Sequence, residues 1–427
     1  MSAEFQSKIS NLPKSANDEI DYQLLYEVFC GRADILITED RKMRERASLI
    51  GISDKVFSID GFITKCTNEN PALVEYKSLS VKKELFGAID INDSFFDSFR
   101  TAYPGFNNWF AGKCDEEAYI CRSDANKILG FLYIKTEDQS ENYSDIIPSF
   151  APGKRLKVGT FKVESTGFRL GERFIKIIFD NAIARQVDEI YVTLFVDRPE
   201  LQALDNLLLR WGFYHHGVKR SNGKEELVLV KKLGQYDDNK SVIANFPNLK
   251  PNNAKMILPI YPQYHTPLFP DSILNNEVEY VGNVSHRYAL EKAYITWGNV
   301  NNVKPGDLLL FYRTGETYPK KYSSVVTTVG VVHEIVFSFR DENDFLKHCQ
   351  NRTVFSKEEL KRFWNKNPYN LSLLKFVYVK SLSTRLTLSY LWDHGIVNAP
   401  NGPRPFTKIT DEQFDMILRD SNTILYK

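Results

Sequence analysis

The sequence predicts a multidomain α+β protein, and three observations predict it. At 427 residues the chain exceeds one ordinary domain. From Lys157 to Leu233 strand-period and helix-period stretches alternate, whereas from Met256 onward the pattern is mostly strand. Between these regions, 234–254 shifts to Gly, Asp, Asn and Pro with little periodicity, the composition of a linker. Hydrophobic content of 43% and charged content of 26% are those of a globular chain, and a net charge of +1 excludes a global basic field.

The middle region sets the organisation. Leu156 to Val163 alternates apolar and polar residues, the period of a half-buried strand. Ser165-Thr166-Gly167 breaks it, and Leu170, Phe174, Ile177, Ile178 and Ala182 then recur at helical spacing to about Arg185. Glu189 to Val196 is β-branched and aromatic, a buried strand. A second helix runs from about Pro199 to Trp211, with Gly212 where a C-cap favours positive φ. Glu226 to Val230 closes the region as a strand. A strand, a glycine turn and a helix start suit a diphosphate, because the first helical amides lack partners and the helix dipole is positive there.

This order of elements, with Gly212-Phe213 before the last strand, resembles the GNAT family of N-acetyltransferases over roughly 81–233. Phe95-Phe96, Tyr103, Phe106, Trp109-Phe110 and Lys113 resemble the family's first helices, and Lys127 to Ile134 an early strand of its sheet. The resemblance implies a mixed-sheet domain and acetyl-CoA as cofactor. The implied cofactor-binding residues are Phe161, Val163, Gly167, Phe168, Arg169, Leu170, Gly171 and Glu172. The family's phosphate loop reads Arg or Gln, two residues, Gly, one residue, then Gly or Ala. Here only Gly171 falls on a motif glycine, and Arg169 stands where the other belongs. Gly167 and Gly171 equally suit a plain turn and a close helix contact. Leu208 occupies the position where many members place a tyrosine acid, so that role is not carried over. The candidate catalytic residues are Glu164, a carboxylate at the end of the strand before the loop, and Tyr214; Tyr191, His215 and His216 are further candidates, and strand core or exposed loop is the plainer role for these three.

In the first 80 residues, Ile20 to Phe29 is helical, Ala33 to Thr38 and Lys55 to Ile59 read as strands, and Glu39-Asp40 opens a helix carrying Arg41, Lys42, Arg44 and Arg46. Asp21, Ala33-Asp34 and Leu36-Ile37-Thr38-Glu39-Asp40 resemble the C-terminal half of a PIN-type ribonuclease domain, an α/β fold. Asp21 and Asp40 fall on acidic positions of that family and are weak candidate metal ligands; aspartate at a helix start is also a common cap. The family's first strand and its leading aspartate have no counterpart here, which weighs against a metal-dependent ribonuclease.

From Met256 the strands are Lys255 to Ile260, Tyr294 to Trp297, Val303 to Arg313 and Ser324 to Val332, then a helical insert over about Glu342 to Trp364, a strand from Phe376 to Ser381, and helices near Leu388 and Asp411. Lys304-Pro305-Gly306-Asp307-Leu308-Leu309-Leu310-Phe311-Tyr312, the Gly330-Val331-Val332 strand and the late helix resemble the PUA-like superfamily, nearest its ASCH and EVE branches, over 255–427. That implies a small β-barrel binding RNA or a modified base. Trp297, Tyr312, Arg313 and Trp392 are the candidates for a stacking face with donors, with barrel core as the plainer role.

The functional expectation is an acetyl-CoA-dependent N-acetyltransferase. Its acceptor is an amine of an RNA-associated substrate, an aminoacyl-tRNA or a nucleobase, or of a protein. The opposing class is a non-catalytic RNA- or base-binding protein on a degenerate GNAT scaffold. Five scattered cysteines, never spaced Cys-x-x-Cys, predict neither a zinc site nor a disulfide frame. No apolar run reaches the length of a membrane span and Met1 to Phe5 begins no signal-peptide pattern, so the expected location is cytoplasmic.

Overall fold

The computed structural model describes residues 1–9, 15–59, 62, 81–123, 126–164, 170–195, 199–221, 223–274, 285–315 and 320–425. The chain divides into two compact units, Met1–Tyr76 with Ile273–Glu279, and Lys77–Ser272 with Tyr280–Lys427.

In the first unit, α1 (Ala3–Lys8), α2 (Ala16–Phe29) and α3 (Arg41–Leu49) pack with two parallel two-residue strands, β1 (Leu36–Ile37) and β2 (Val56–Phe57). Phe5, Tyr22, Leu25, Val28, Met43 and Ala47 form its core. Asp40 caps α3, its carboxylate accepting from the amides of Lys42 (2.7 Å) and Met43 (3.3 Å). Asp21 does not open a helix: Ser15 caps α2, and Asp21 lies inside it, paired with Arg46 at 3.1 Å. Arg46 also takes Asp18 at 2.5 Å, so the helix read as basic surface spends this arginine on α2. Among the described residues no group of His, Cys, Asp or Glu gathers as metal ligands would.

The second unit holds two sheets. The first comprises β3 (Val81–Leu85), β4 (Glu117–Arg122), β5 (Ile128–Glu137), β6 (Ile146–Ile147), β7 (Arg155–Val163), β8 (Glu189–Leu194), β9 (Tyr214–Ser221) and β10 (Lys224–Lys232). Their order is β3-β4-β5-β7-β8-β10-β9-β6, antiparallel except for the parallel pair β7 and β8. The expected run of strand, helix, strand, helix, strand is present, with β9 inserted before the closing strand. β5 is buried on both faces because its side chains alternate between two layers. Phe131 and Tyr133 join Phe86, Phe95, Phe96, Phe106 and Phe110 on the side of α4 (Asp97–Ala102) and α5 (Phe106–Ala111). Leu132 and Ile134 join Leu170, Phe174 and Ile178 of α6 (Leu170–Ala184) on the other. A Cβ on Gly130 would fall 2.5 Å from the Phe174 ring, so only glycine lets α6 lie this close. α7 (Pro199–Arg210) follows β8.

The stretch read as a linker includes a short helix, α8 (Val242–Asn245), and buries Val242, Ile243, Phe246 and Leu249. The Phe246 ring meets Phe179 at 5.6 Å and Trp211 at 5.9 Å. Gly212 has φ +82°, the value the C-cap reading expects, and a Cβ there would fall 1.9 Å from the Ala244 carbonyl oxygen.

The second sheet runs β12 (Glu291–Thr296), β15 (Ser372–Thr387), β14 (Val325–Val336), β13 (Leu308–Arg313), β11 (Lys255–Ile260), β16 (Thr407–Ile409). Register shifts between β14 and β15 mark bulges, which increase twist. Among the described residues its edge strands β12 and β16 do not pair with each other, so the sheet is open and the expected closed barrel is not formed. The helical insert is two helices, Glu342–Cys349 and Lys357–Lys366, with their own cluster around Phe345, Cys349 and Leu360.

Candidate functional site

The first sheet opens where its parallel pair ends. β7 and β8 pair from Arg155↔Glu189 to Val158↔Val192 and no further. Beyond that register β7 stays with β5, Val163 facing Gly130, while β8 stays with β10, Leu194 facing Leu227. The two strands therefore part at their C-terminal ends and leave a wedge. Along it, the backbone of Gly159 to Val163 on the β8 side has no partner strand among the described residues. α6 starts seven residues after β7 ends, so the positive end of its dipole belongs to the strand end that lines the wedge.

Both walls carry chemistry on the face covered by α4. Lys162 is directly opposite Phe131, whose ring belongs to the α4–α5 layer. Its ammonium lies 4.4 Å from the Phe95 ring centroid, donates to the Phe95 carbonyl oxygen, and donates to Glu164 at 2.9 Å. On the β8 side, Phe195 follows the strand and its ring stands 5.5 Å from that of Tyr103. The Tyr103 hydroxyl donates to buried Glu226 at 2.5 Å, and Glu226 directly precedes Leu227, the partner of Leu194. Lys224 donates to the Ala102 carbonyl oxygen at 2.7 Å. The segment 95–103, which contains α4, thus bridges the wedge, held to β7 through Lys162 on Phe95 and to β10 through Lys224 on Ala102 and Glu226 on Tyr103. Sequence reading does not pair Tyr103 with Glu226, since 123 positions separate them. The available signal is a carboxylate at the head of an otherwise apolar strand.

The anticipated cofactor residues divide. Gly167, Phe168 and Arg169 lie outside the described residues. Phe161 is buried against Phe174 at 5.6 Å, Leu170 is core, and Val163 packs partly buried beside it. A Cβ on Gly171 would sit 2.9 Å from Leu207 Cδ2, so this glycine permits close approach of α6 and α7. The Glu172 carboxylate is buried and accepts from the amides of Leu290 (2.9 Å) and Glu291 (3.3 Å).

Glu164 stands on the β7 wall, also within 3.8 Å of the Lys127 ammonium. Tyr214 does not join it. Tyr214 faces Val230, Val230 faces Tyr191, and Tyr191 faces Lys157, which puts it level with the paired end of β7, roughly 20 Å from Glu164 at about 3.3 Å per residue. Burial, then the nearby Glu189 charge, raise the Tyr214 phenol above its ordinary pKa. Tyr191 is buried and donates to Glu137 at 2.6 Å. His215 pairs with Asp205 at 2.8 Å, and His216 bonds the Pro148 carbonyl oxygen at 2.8 Å.

Of the four residues considered for base recognition, Tyr312 and Trp392 both border 401–402, a Cβ on Gly402 falling 3.5 Å from the Tyr312 hydroxyl, while Trp297 lies apart from them. Tyr312 and Arg313 are consecutive on β13, hence on opposite faces, and both are buried. Trp392 is in the helix Leu388–Asp393 directly after β15 and donates to the Asn401 carbonyl oxygen at 2.8 Å. Trp297 follows Thr296, which faces Ser372 at the start of β15, whereas Tyr312 is level with Leu386 near its end through Val326. Trp297 also stands edge-on to Phe363 at 5.4 Å, with its indole N–H on the Asn367 carbonyl oxygen at 3.3 Å.

No protein-family profile and no curated sequence matches the chain. Among solved structures, a chain of the NatC complex bound to Gag peptide and CoA is similar over 36% of this chain and 100% of its own, with 19% identity and a TM-score of 0.26. NAA60 of Arabidopsis thaliana in complex with acetyl-CoA is similar over 36% of this chain and 98% of its own, with 13% identity and a TM-score of 0.26. A mutant of the protein ZmASCH from Zymomonas mobilis is similar over 39% of this chain and 96% of its own, with 10% identity and a TM-score of 0.27. At these TM-scores the likeness carries no argument of its own, and the functional assignment rests on strand order, register and side-chain placement. Among the described residues no helix is long and apolar enough to cross a membrane.

Proposed function

We propose that the chain is an acetyl-CoA-dependent N-acetyltransferase, with residues 81–233 as its GNAT-like domain, and that the wedge between β7 and β8 is its active site. The observation that carries this reading is the parting of the two parallel strands on the side from which α6 starts. The unpaired β7 edge offers peptide groups to the amides of an extended pantetheine arm, and the start of α6 suits its diphosphate. Those two features fit the cofactor; its thioester supplies the acetyl group. The acceptor amine enters beneath α4. Glu226 removes its proton while the Tyr103 hydroxyl, bonded to Glu226 at 2.5 Å, holds the carboxylate in place. Glu164, restrained by Lys162, orients the ammonium before it loses that proton. Counted from the ammonium, the nitrogen ends with the acetyl group and two protons fewer, one taken by Glu226 and the other carried off on the free thiol as the carbon–sulfur bond breaks.

The acceptor class follows from the sequence resemblances: residues 1–80 as a PIN-like segment and 255–427 as an ASCH- or EVE-type module support an RNA-associated amine, an aminoacyl-tRNA or a nucleobase, ahead of a protein amine. Calorimetry with acetyl-CoA tests the cofactor. Micromolar binding to wild type, retained by Glu226→Gln while turnover with amine acceptors collapses, is the expected outcome. Absence of binding at millimolar acetyl-CoA overturns the reading and leaves a non-catalytic binding protein.

A further inference from the structure

The outer face of α6, away from the first sheet, carries Glu172, Arg173, Lys176 and Asp180, and it meets Pro270-Asp271, 287–292 and Tyr378. There a pocket with room for about one water molecule is lined by four cations, Arg173, Lys176, Arg287 and Lys292, and by one carboxylate, Asp271. Each carboxylate in reach already has partners. Asp271 takes both arms of the Arg173 guanidinium at 2.5 and 2.8 Å. Asp180 pairs with Lys176, and Glu172 accepts the amides of Leu290 and Glu291.

Lys292 is the exception. Its side chain is 2% exposed, its ammonium donates to the His286 carbonyl oxygen at 2.7 Å, and among the described residues no carboxylate lies within ion-pair distance. An ammonium has three N–H donors, and one carbonyl satisfies one of them. Burying such a charge without a counter-charge is costly, and a water molecule in the pocket would bring none.

We infer that this pocket binds one small inorganic anion of chloride's size, held by Lys292 and Lys176 with the guanidiniums of Arg173 and Arg287 around it. The size excludes a phosphate or a carboxylate ligand in the closed arrangement. The anion completes the charge balance where α6 packs against the β12 region, so it ties the helix that begins beside the wedge to the second sheet. It is held most tightly when Lys292 is protonated. Burial first, with the charges of Arg173 and Arg287 adding to it against Asp271 and Glu172, lowers that ammonium to about 7. Lys176 and the imidazole of His286 are lowered as well, again chiefly by burial.

The test uses the full chain at pH 6 and fixed ionic strength, with sodium gluconate replaced stepwise by sodium chloride. Wild type is expected to gain several degrees in Tm along a saturating curve, and Lys292→Met to show a flat response. Equal Tm in both salts overturns the inference, as does a Lys292→Met protein that keeps the chloride response. Should Lys292→Met not fold, bromide-soaked wild-type crystals decide. An anomalous peak among Arg173, Lys176, Arg287 and Lys292 supports the site, and a pocket without one refutes it.

Discussion

The parallel pair β7–β8 has two unlike ends. At the paired end, Glu137 is almost fully buried and accepts from Tyr191 (2.6 Å) and Tyr143 (3.1 Å), with Lys157 at 3.3 Å. Arg155 lies 4.4 Å from the Phe150 ring centroid and is bonded to Glu189 at 2.8 Å. Burial, followed by Glu137's hydrogen bond and charge, pushes the Tyr191 phenol far above its ordinary range. At the parted end, the β8-side edge of β7 has no partner strand among the described residues, and Glu226, Tyr103, Lys162 and Glu164 stand on the walls. The difference teaches where to look for chemistry in a sheet. A cluster rich in tyrosine and carboxylate is structural when its members satisfy one another and the strands close over it. On the proposed function, a sparser set is a site when the backbone beside it is left unpaired.

The largest effect is expected at the closed end. Glu137→Ala leaves the tyrosine hydroxyls and the Lys157 ammonium without their shared acceptor and is expected to cost about 3–5 kcal/mol in urea unfolding. The Kd for acetyl-CoA should be unchanged in the protein that remains folded. At the open end, Glu226→Gln should lower kcat about 100-fold, equivalent to about 2.7 kcal/mol, and leave Tm within a degree or two. If the two variants exchanged these effects, the comparison would be reversed.

A more gradual effect is set by pH. Lys231, buried under the Gly212 turn and donating to the Ala244 carbonyl oxygen at 2.8 Å, is lowered by burial and then by Lys240 from the ordinary value of 10.5 to about 7. Its folded pKa is below its unfolded one, so the unfolded chain binds the proton more tightly. Stability from this group is therefore lowest below pH 7, rises between about 7 and 10.5, and levels off above, by up to about 1.4 kcal/mol per pH unit. Lys231→Met should flatten that slope, measured by denaturation at pH 6, 8 and 9.5. The smallest effect is expected from Tyr214→Phe, since this half-exposed residue is level with the paired end: less than a twofold change in kcat and under about 0.5 kcal/mol in stability.

The sequence makes the local elements legible. Leu170, Phe174, Ile177, Ile178 and Ala182 mark the buried side of α6, and Gly212 adopts the positive φ of a cap, because period and backbone sterics are encoded within a few residues. Strand β9 is not legible, since Tyr214-His215-His216 followed by Lys219-Arg220 reads as exposed loop until its pairing with β10 is seen. The wedge is not legible either. It depends on β7 and β8 ceasing to pair with each other beyond Val158 and Val192 while each keeps its other neighbour, a matter of register between distant segments. Glu226 and Lys292 take their surroundings from segments far away in sequence, whereas a search near the glycine turn arrives at Glu164 and Tyr214. Asp21 and Asp40 show the converse: an acidic pattern matching a nuclease is used here for an ion pair and a helix cap.

The most direct test of the central claim is hydrogen–deuterium exchange of the full chain with and without saturating acetyl-CoA, resolved at the amides of Gly159 to Val163. Slower exchange there and at the first turn of α6, with β1 and β2 unchanged, is the expected result. Unchanged exchange along β7, or protection confined to the second sheet, would contradict the assignment of the wedge as the cofactor site.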